Sequence, residues 1–104
     1  MVVIETKVFE KLIDRLLAVD ERLLLLDALA KNPAAGDVIP KAGGARKLRW
    51  AAGSRGKRGG LRVVYLWARS QNQELCVLVY PKSDKSDLTT EEIRMIAKEA
   101  KLWL

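Results

Sequence analysis

Two residue types that carry much of enzyme chemistry are scarce in this sequence. It contains no histidine and only one cysteine, Cys76, which lies within an apolar run. Histidine and cysteine supply many of the acid–base groups, nucleophiles and zinc ligands of proteins, so catalysis or zinc binding of those kinds is not expected. A single cysteine cannot form an internal disulfide, which favours a reduced compartment, the cytoplasm.

Long hydrophobic runs are also missing. The longest apolar stretches, such as Leu23 to Leu26 and Leu75 to Tyr80, are far shorter than the roughly 20 residues that a membrane helix needs. The N-terminus has neither a basic region nor a small-residue cleavage site, so we predict no export signal and no membrane association. The length of 104 residues predicts one domain spanning residues 1–104.

Acidic residues are absent from the middle of the chain. The net charge is +6, yet residues 38–73 carry nine basic side chains and no acidic one, while both flanking regions are slightly acidic. The nine are Lys41, Arg46, Lys47, Arg49, Arg55, Lys57, Arg58, Arg62 and Arg69. Because no neighbouring carboxylate can pair with them, these cations suit the phosphates of a polyanion. A solvated basic face that only aids solubility is the alternative.

Hydrophobic periodicity predicts an α+β domain with the order β-α-α-β-β-β-α. The consecutive strands should form an antiparallel meander of three to four strands, and the two N-terminal helices and the C-terminal helix should cover one face of the sheet. We expect Asp20 to be the N-cap of the second helix, Asn32-Pro33 to end it, and Thr89 with Glu92 to form a capping box for the last helix.

The glycine-rich stretch from Gly53 to Gly60 does not match a phosphate-binding loop. Gly56-Lys57 is followed by Arg58 rather than Ser or Thr, and the next element is a predicted strand rather than a helix. A flexible basic hairpin that grips a nucleic-acid backbone fits the pattern better, and a plain hairpin turn fits the glycines equally well. The carboxylates after the last strand, Asp87 among them, are expected to cap a helix rather than to bind magnesium.

Lysine, arginine and tyrosine remain as candidates for chemistry, and this set can cut RNA without a metal. The ribose 2′-OH is an internal nucleophile, lysines can transfer protons, and arginines can stabilise the phosphorane charge. Strand alternation places Lys47 and Arg49 on one face, and Arg62 on the next strand is expected to share it. Tyr65, Trp67 and Tyr80 could stack a base, although core packing is favoured for Trp67.

Several motifs resemble the HigB branch of the RelE-type toxins. They are Asn32-Pro33, Gly36-Asp37-Val38-Ile39-Pro40, residues 43–50 (GGARKLRW), residues 55–65 (RGKRGGLRVVY) and residues 80–89 (YPKSDKSDLT). The resemblance covers nearly the whole chain. It implies a toxin of a type II toxin–antitoxin system that cleaves mRNA in the ribosomal A site without a cofactor. It also implies a helix-turn-helix antitoxin, with the toxin a monomer alone and part of a hetero-oligomer when neutralised.

The resemblance assigns the site residues position by position. The catalytic residues would be Lys47, Arg49, Arg62 and Lys82, with Lys47 and Lys82 in proton transfer and the two arginines on the scissile phosphate. Lys85 is a neighbour of Lys82 in this carry-over. Together with Arg46, Arg55, Lys57, Arg58 and Tyr65 of the acid-free segment, it forms the wider predicted RNA-binding set. Leu88 stands near the place of the family's C-terminal tyrosine. The alternatives are a non-catalytic RNA- or ribosome-binding module, a degenerate toxin that only binds antitoxin, and an interaction protein for an acidic partner.

Overall fold

The computed structural model describes residues 1–51, 60–85 and 87–104, and it confirms an α+β architecture. The elements, in chain order, are strand β1 (Val2–Glu5), helices α1 (Lys7–Leu16) and α2 (Val19–Lys31), strands β2 (Asp37–Val38), β3 (Arg46–Trp50), β4 (Leu61–Ala68) and β5 (Gln73–Pro81), and helix α3 (Thr90–Trp103). A single 3₁₀ turn, Arg69–Gln71, joins β4 to β5. Over the described ranges, no helix has the length and apolar character needed to span a membrane.

The sheet has five strands in the order β1-β5-β4-β3-β2. Strands β3, β4 and β5 form the predicted antiparallel meander. The structure adds two edge strands to it. At one edge β1 runs parallel to β5, with Val3 opposite Glu74, and at the other edge the two-residue β2 pairs with β3. The short β2 is not among the predicted elements, because two residues carry too little pattern to indicate a strand.

Helices α1 and α2 cover the first face of the sheet. Their buried side chains pack on alternate residues of β4 and on β5, since successive residues of a strand point to opposite faces. The core cluster on this face consists of Phe9, Ile13, Leu25, Leu29, Leu61, Val63, Tyr65, Cys76 and Val79. Burial of this cluster is the main force that holds the two N-terminal helices to the sheet.

Helix α3 packs on the second face, so the expectation that all helices share one face is wrong. The cluster there consists of Ile39, Ala42, Ala45, Val64, Leu66, Leu75, Tyr80, Leu88, Ile96 and Ala100. Strand β4 is apolar on both sides except at Arg62, and an apolar strand needs cover on both faces. Gly43 permits the close approach of α3, because a Cβ atom at Gly43 would lie 2.6 Å from the Cβ of Ala100.

The helix ends follow the sequence only in part. Asn32 is the C-cap of α2, and Thr89 and Glu92 form a complete capping box at α3, as predicted. Asp20 is not the N-cap of α2, because the helix starts earlier and its N-cap is Ala18, which makes no side-chain capping bond. Asp20 instead lies in the first turn, where a carboxylate stabilises the positive end of the helix dipole.

Candidate active site

The second face of the sheet is left uncovered beside the first turn of α3. There it forms an open groove with a volume of about 640 Å³. The four predicted catalytic residues, Lys47, Arg49, Arg62 and Lys82, all line this groove. Its remaining polar wall comes from Asp37, Lys41, Asp87 and Thr90. Residues that lie far apart in sequence are therefore brought together in one cationic cleft.

The strand register explains how three of these cations come to share a face. Arg49 lies directly opposite Arg62 in the antiparallel ladder, and Lys47 lies opposite Val64. Paired residues of neighbouring strands project to the same side, and alternation then places Lys47 beside Arg49. Lys82 follows the end of β5, and its backbone N–H donates to the carbonyl of Gly60 at 3.1 Å. This bond ties the Lys82 backbone to the start of β4.

Arg62 is a buried cation at the centre of this arrangement. Only 4% of the residue is exposed, although it lines the groove. Its guanidinium donates to the Leu61 carbonyl at 3.3 Å and makes no ion pair within the described part of the chain. A buried charge is unfavourable unless it is paired and hydrogen-bonded. The remaining guanidinium donors therefore suit an anion that enters the groove, such as a phosphate.

Asp87 brings a carboxylate into the cationic groove. Its Oδ1 accepts hydrogen bonds from the Lys47 ammonium at 3.2 Å and from the Leu88 backbone N–H at 2.8 Å. The Leu88 bond and then Lys47 hold the pKa of Asp87 below its usual value. The expected role of Asp87 was helix capping alone, because nothing in the local sequence indicates a partner 40 residues away.

Lys41 is a second groove residue that is absent from the predicted site. It belongs to the acid-free segment, but it lies outside the predicted strands, so no strand alternation indicates the direction of its side chain. Its backbone φ is 63°, which is the left-handed region that residues with a Cβ atom seldom adopt. The turn that carries it is closed by a hydrogen bond from the Ile39 N–H to the Ala45 carbonyl at 2.8 Å. This turn holds Lys41 at the groove wall.

Tyr65 requires a correction, because it lies in the core rather than on an RNA-binding surface. The residue has no exposed area. Its hydroxyl donates to the Pro33 carbonyl at 2.6 Å and accepts from the Gly36 N–H at 3.0 Å. The ring therefore offers no face to a base in this structure. Tyr80 is also buried, and the Lys85 ammonium lies 4.8 Å from the centre of its ring.

Two further residues of the predicted RNA-binding set, Arg46 and Lys85, are described by the structure and do not line the groove. Arg46 projects to the opposite side of β3 and donates to the Gly36 carbonyl at 2.9 Å. Lys85 forms an ion pair with Glu92 at the start of α3. The hairpin cations Arg55, Lys57 and Arg58 lie outside the described residues. Of the cations in the described ranges, Lys47, Arg49, Arg62 and Lys82 line the groove, together with Lys41.

The chemistry available in the groove is that of lysine and arginine. Cys76 is buried in the core, and burial raises the pKa of its thiol far above the usual range, which makes it a poor nucleophile. Among the described residues, no cluster of three or more acidic or thiol side chains has the geometry to hold a metal ion. Three lysines and two arginines around one cleft can bind a phosphodiester, stabilise added negative charge and transfer protons.

The fold and the groove define a small α+β domain with a cationic cleft suited to phosphate. The family model described as the RelE toxin of the RelE/RelB toxin–antitoxin system matches residues 1–104. Since the match covers the whole chain, the protein belongs to the RelE toxin family. It is therefore similar to toxins that act within toxin–antitoxin systems, in which a toxin is paired with an antitoxin.

Proposed function

We propose that this protein is an endoribonuclease toxin that cleaves mRNA in the A site of the translating ribosome, in the cytoplasm, and that a helix-turn-helix antitoxin neutralises it. The buried guanidinium of Arg62 in a groove with three further predicted catalytic cations is the observation that carries this proposal. Membership of the RelE toxin family supports the toxin role. The acid-free segment of residues 38–73 supports an RNA partner.

Cleavage would proceed by attack of the ribose 2′-oxygen on the adjacent phosphorus. The groove would align the nucleotide so that this oxygen lies in line with the leaving 5′-oxygen. Arg49 and Arg62, which face each other across β3 and β4, would donate hydrogen bonds to the non-bridging phosphate oxygens. Their charge is fixed, so they stabilise the dianionic phosphorane more than the monoanionic ground state.

Lys47 and Lys82 would handle the two protons of the reaction. One takes the proton of the 2′-OH as the new P–O bond forms, and the other gives a proton to the 5′-oxygen as the old bond breaks. The products are a 2′,3′-cyclic phosphate and a 5′-hydroxyl end. DNA has no 2′-OH and would bind in the groove without being cut, so the proposed activity is specific for RNA.

Arg62 provides the sharpest test of this site. Expression of the wild-type chain in bacteria without antitoxin is expected to arrest growth and to shorten translated mRNAs. Arg62→Ala should abolish both effects, because it removes the only described buried cation of the groove. Arg69→Ala is a matched control, since Arg69 is exposed and stacks over the Trp67 ring, 5.3 Å from its centre, rather than lining the groove.

Fold controls make the result interpretable. Circular dichroism and thermal melting must show that the Arg62→Ala protein is folded. A folded Arg62→Ala protein that still arrests growth would contradict the site assignment. Normal growth and intact transcripts on expression of the wild-type chain would favour a non-catalytic RNA- or ribosome-binding module, or a toxin that only binds its antitoxin.

A further inference from the structure

The two groove lysines that we assign to proton transfer, Lys47 and Lys82, have different surroundings. Lys47 contacts a carboxylate, that of Asp87, at 3.2 Å. Lys82 lines the same groove but makes no ion pair with any residue that the structure describes. This asymmetry matters because the proposed reaction needs one proton acceptor and one proton donor, and the two roles require opposite protonation states.

The position of Asp87 is fixed by the start of α3. Leu88, whose backbone N–H donates to the Asp87 carboxylate, is buried at 8% exposure in the cluster beneath the helix. The next residue, Thr89, begins the capping box with Glu92. The carboxylate is therefore anchored by the backbone on one side and faces Lys47 on the other. It bridges the helix start to β3, across 40 residues of sequence.

The charges around Lys47 make this carboxylate important. The other charged residues that line the groove are Asp37, Lys41, Arg49, Arg62 and Lys82. Four of these five are cationic and repel the Lys47 ammonium. An opposite charge in direct contact attracts the ammonium and restricts the direction of the side chain. Asp87 is the acidic groove residue for which the structure shows that contact.

We propose that Asp87 is a positioning residue that holds the Lys47 ammonium by direct contact and directs it toward the leaving 5′-oxygen. This inference rests on the proposed ribonuclease function and divides the proton transfers between the two lysines. Lys82 takes the proton of the 2′-OH while the 2′-oxygen forms its bond to phosphorus. Lys47 gives its proton to the 5′-oxygen as the P–O5′ bond breaks. After the products leave, Lys82 releases its proton to water and Lys47 regains one from water, which completes the cycle.

The test compares Asp87→Asn, Asp87→Glu and the control Asp84→Asn with the wild-type protein. Asp84 is exposed in the same loop, and its carboxylate makes no described ion pair. The purified proteins are assayed on ribosomes carrying mRNA in the A site, and kcat and KM are measured over a pH series. The alkaline limb of the kcat profile reports loss of the proton donor.

Asp87→Asn is expected to lower kcat about tenfold and to move the alkaline limb to lower pH by about one unit, as loss of one contacting charge would do. KM should stay the same or fall, because a negative charge near the RNA phosphate is removed. Asp87→Glu should return the alkaline limb part of the way to its wild-type pH. Asp84→Asn should give the wild-type kcat and the wild-type pH profile. If Asp87 served only to accept the hydrogen bond from the Leu88 N–H, Asp87→Asn would lower the thermal stability and leave the alkaline limb of the kcat profile unchanged.

Two results would overturn the assignment of Asp87. One is an Asp87→Asn protein whose alkaline limb coincides with that of the wild type. The other is faster cleavage by Asp87→Asn, which would mean that the carboxylate inhibits the groove. Failure of the wild-type protein to cut mRNA would refute the proposed function itself. The wild-type assay therefore tests the ribonuclease function, and the comparison of variants tests the role of Asp87.

Discussion

Glu74 provides a prediction about stability that is independent of the groove. This carboxylate lies on β5, opposite Val3 of β1 and Trp67 of β4, and has no exposed area. Neither of its oxygens accepts a hydrogen bond within the described residues, and the indole N–H of Trp67 is likewise buried without a partner. Burial raises the pKa of Glu74 from 4.5 to about 7, with the positive N-terminus partly opposing the change.

The sign and size of the effect follow from linkage between protonation and folding. Above pH 4.5 the unfolded chain releases this proton, while the folded chain keeps it until about pH 7. The folded state thus binds more protons in that window, and the free energy of unfolding falls as pH rises through it. A shift of this size is equivalent to about 3 kcal/mol, reached in full above pH 7. Small domains have only roughly 5–15 kcal/mol of stability, so the loss should be readily measured.

Glu74→Gln removes the titration and keeps the shape of the side chain. Urea unfolding of the wild type and of Glu74→Gln at a series of pH values gives the difference between their unfolding free energies. As the pH rises from 4.5 to about 7, the free energy of unfolding of Glu74→Gln is expected to increase relative to that of the wild type, by about 3 kcal/mol in total. Glu10→Gln, an exposed change in the first turn of α1, controls for the loss of an acidic group.

The difference curve can refute this reasoning directly. If the wild type and Glu74→Gln show parallel stability against pH, then Glu74 is hydrated or paired in the folded protein and its burial does not raise its pKa. A gain that appears equally in Glu10→Gln would mean that overall charge, rather than burial at Glu74, controls the pH dependence.

Two further predictions concern close packing in the core. Tyr65→Phe should lower the free energy of unfolding by about 1–3 kcal/mol in urea titrations, because the Gly36 N–H loses its acceptor. Cleavage of mRNA should survive, whereas a stacking role for Tyr65 would predict its loss. Gly43→Ala should destabilise the fold more than Gly44→Ala in thermal melts. Both glycines have positive φ, but a Cβ at Gly43 would collide with Ala100, while one at Gly44 would have its nearest neighbour at 4.0 Å; equal effects would contradict the packing.

The part of the site that sequence could predict is the part built by strand alternation. Lys47 and Arg49 are two residues apart, and a period of two places them on one face whatever surrounds the strand. Arg62 shares that face because β3 and β4, which are consecutive in the chain, pair antiparallel with Arg62 opposite Arg49. Lys82 came from the family resemblance, and the structure brings it to the same groove.

The longer-range contacts could not be predicted from the sequence, for a physical reason. The parallel pairing of β1 with β5 joins strands some 70 residues apart, and no local pattern encodes such a partner. The same holds for Asp87 and Lys47. Tyr65 was misassigned because an aromatic residue on a strand suits both a buried core and a base-stacking surface. The hydrogen bonds of its hydroxyl with the Pro33 carbonyl and the Gly36 N–H show that Tyr65 belongs to the core, and the local sequence does not indicate these partners.

The location of the groove follows from how the second face of the sheet is covered. Ile96 and Ala100 of α3 pack on the apolar end of that face, so water is excluded there. At the uncovered end, Arg49 and Arg62 are direct cross-strand partners, and like charges in that position destabilise a sheet. The ladder hydrogen bonds and the two apolar clusters must offset this repulsion. A bound polyanion would relieve it, so RNA that fills the groove is expected to stabilise the folded state as well as to place its phosphate against the arginines.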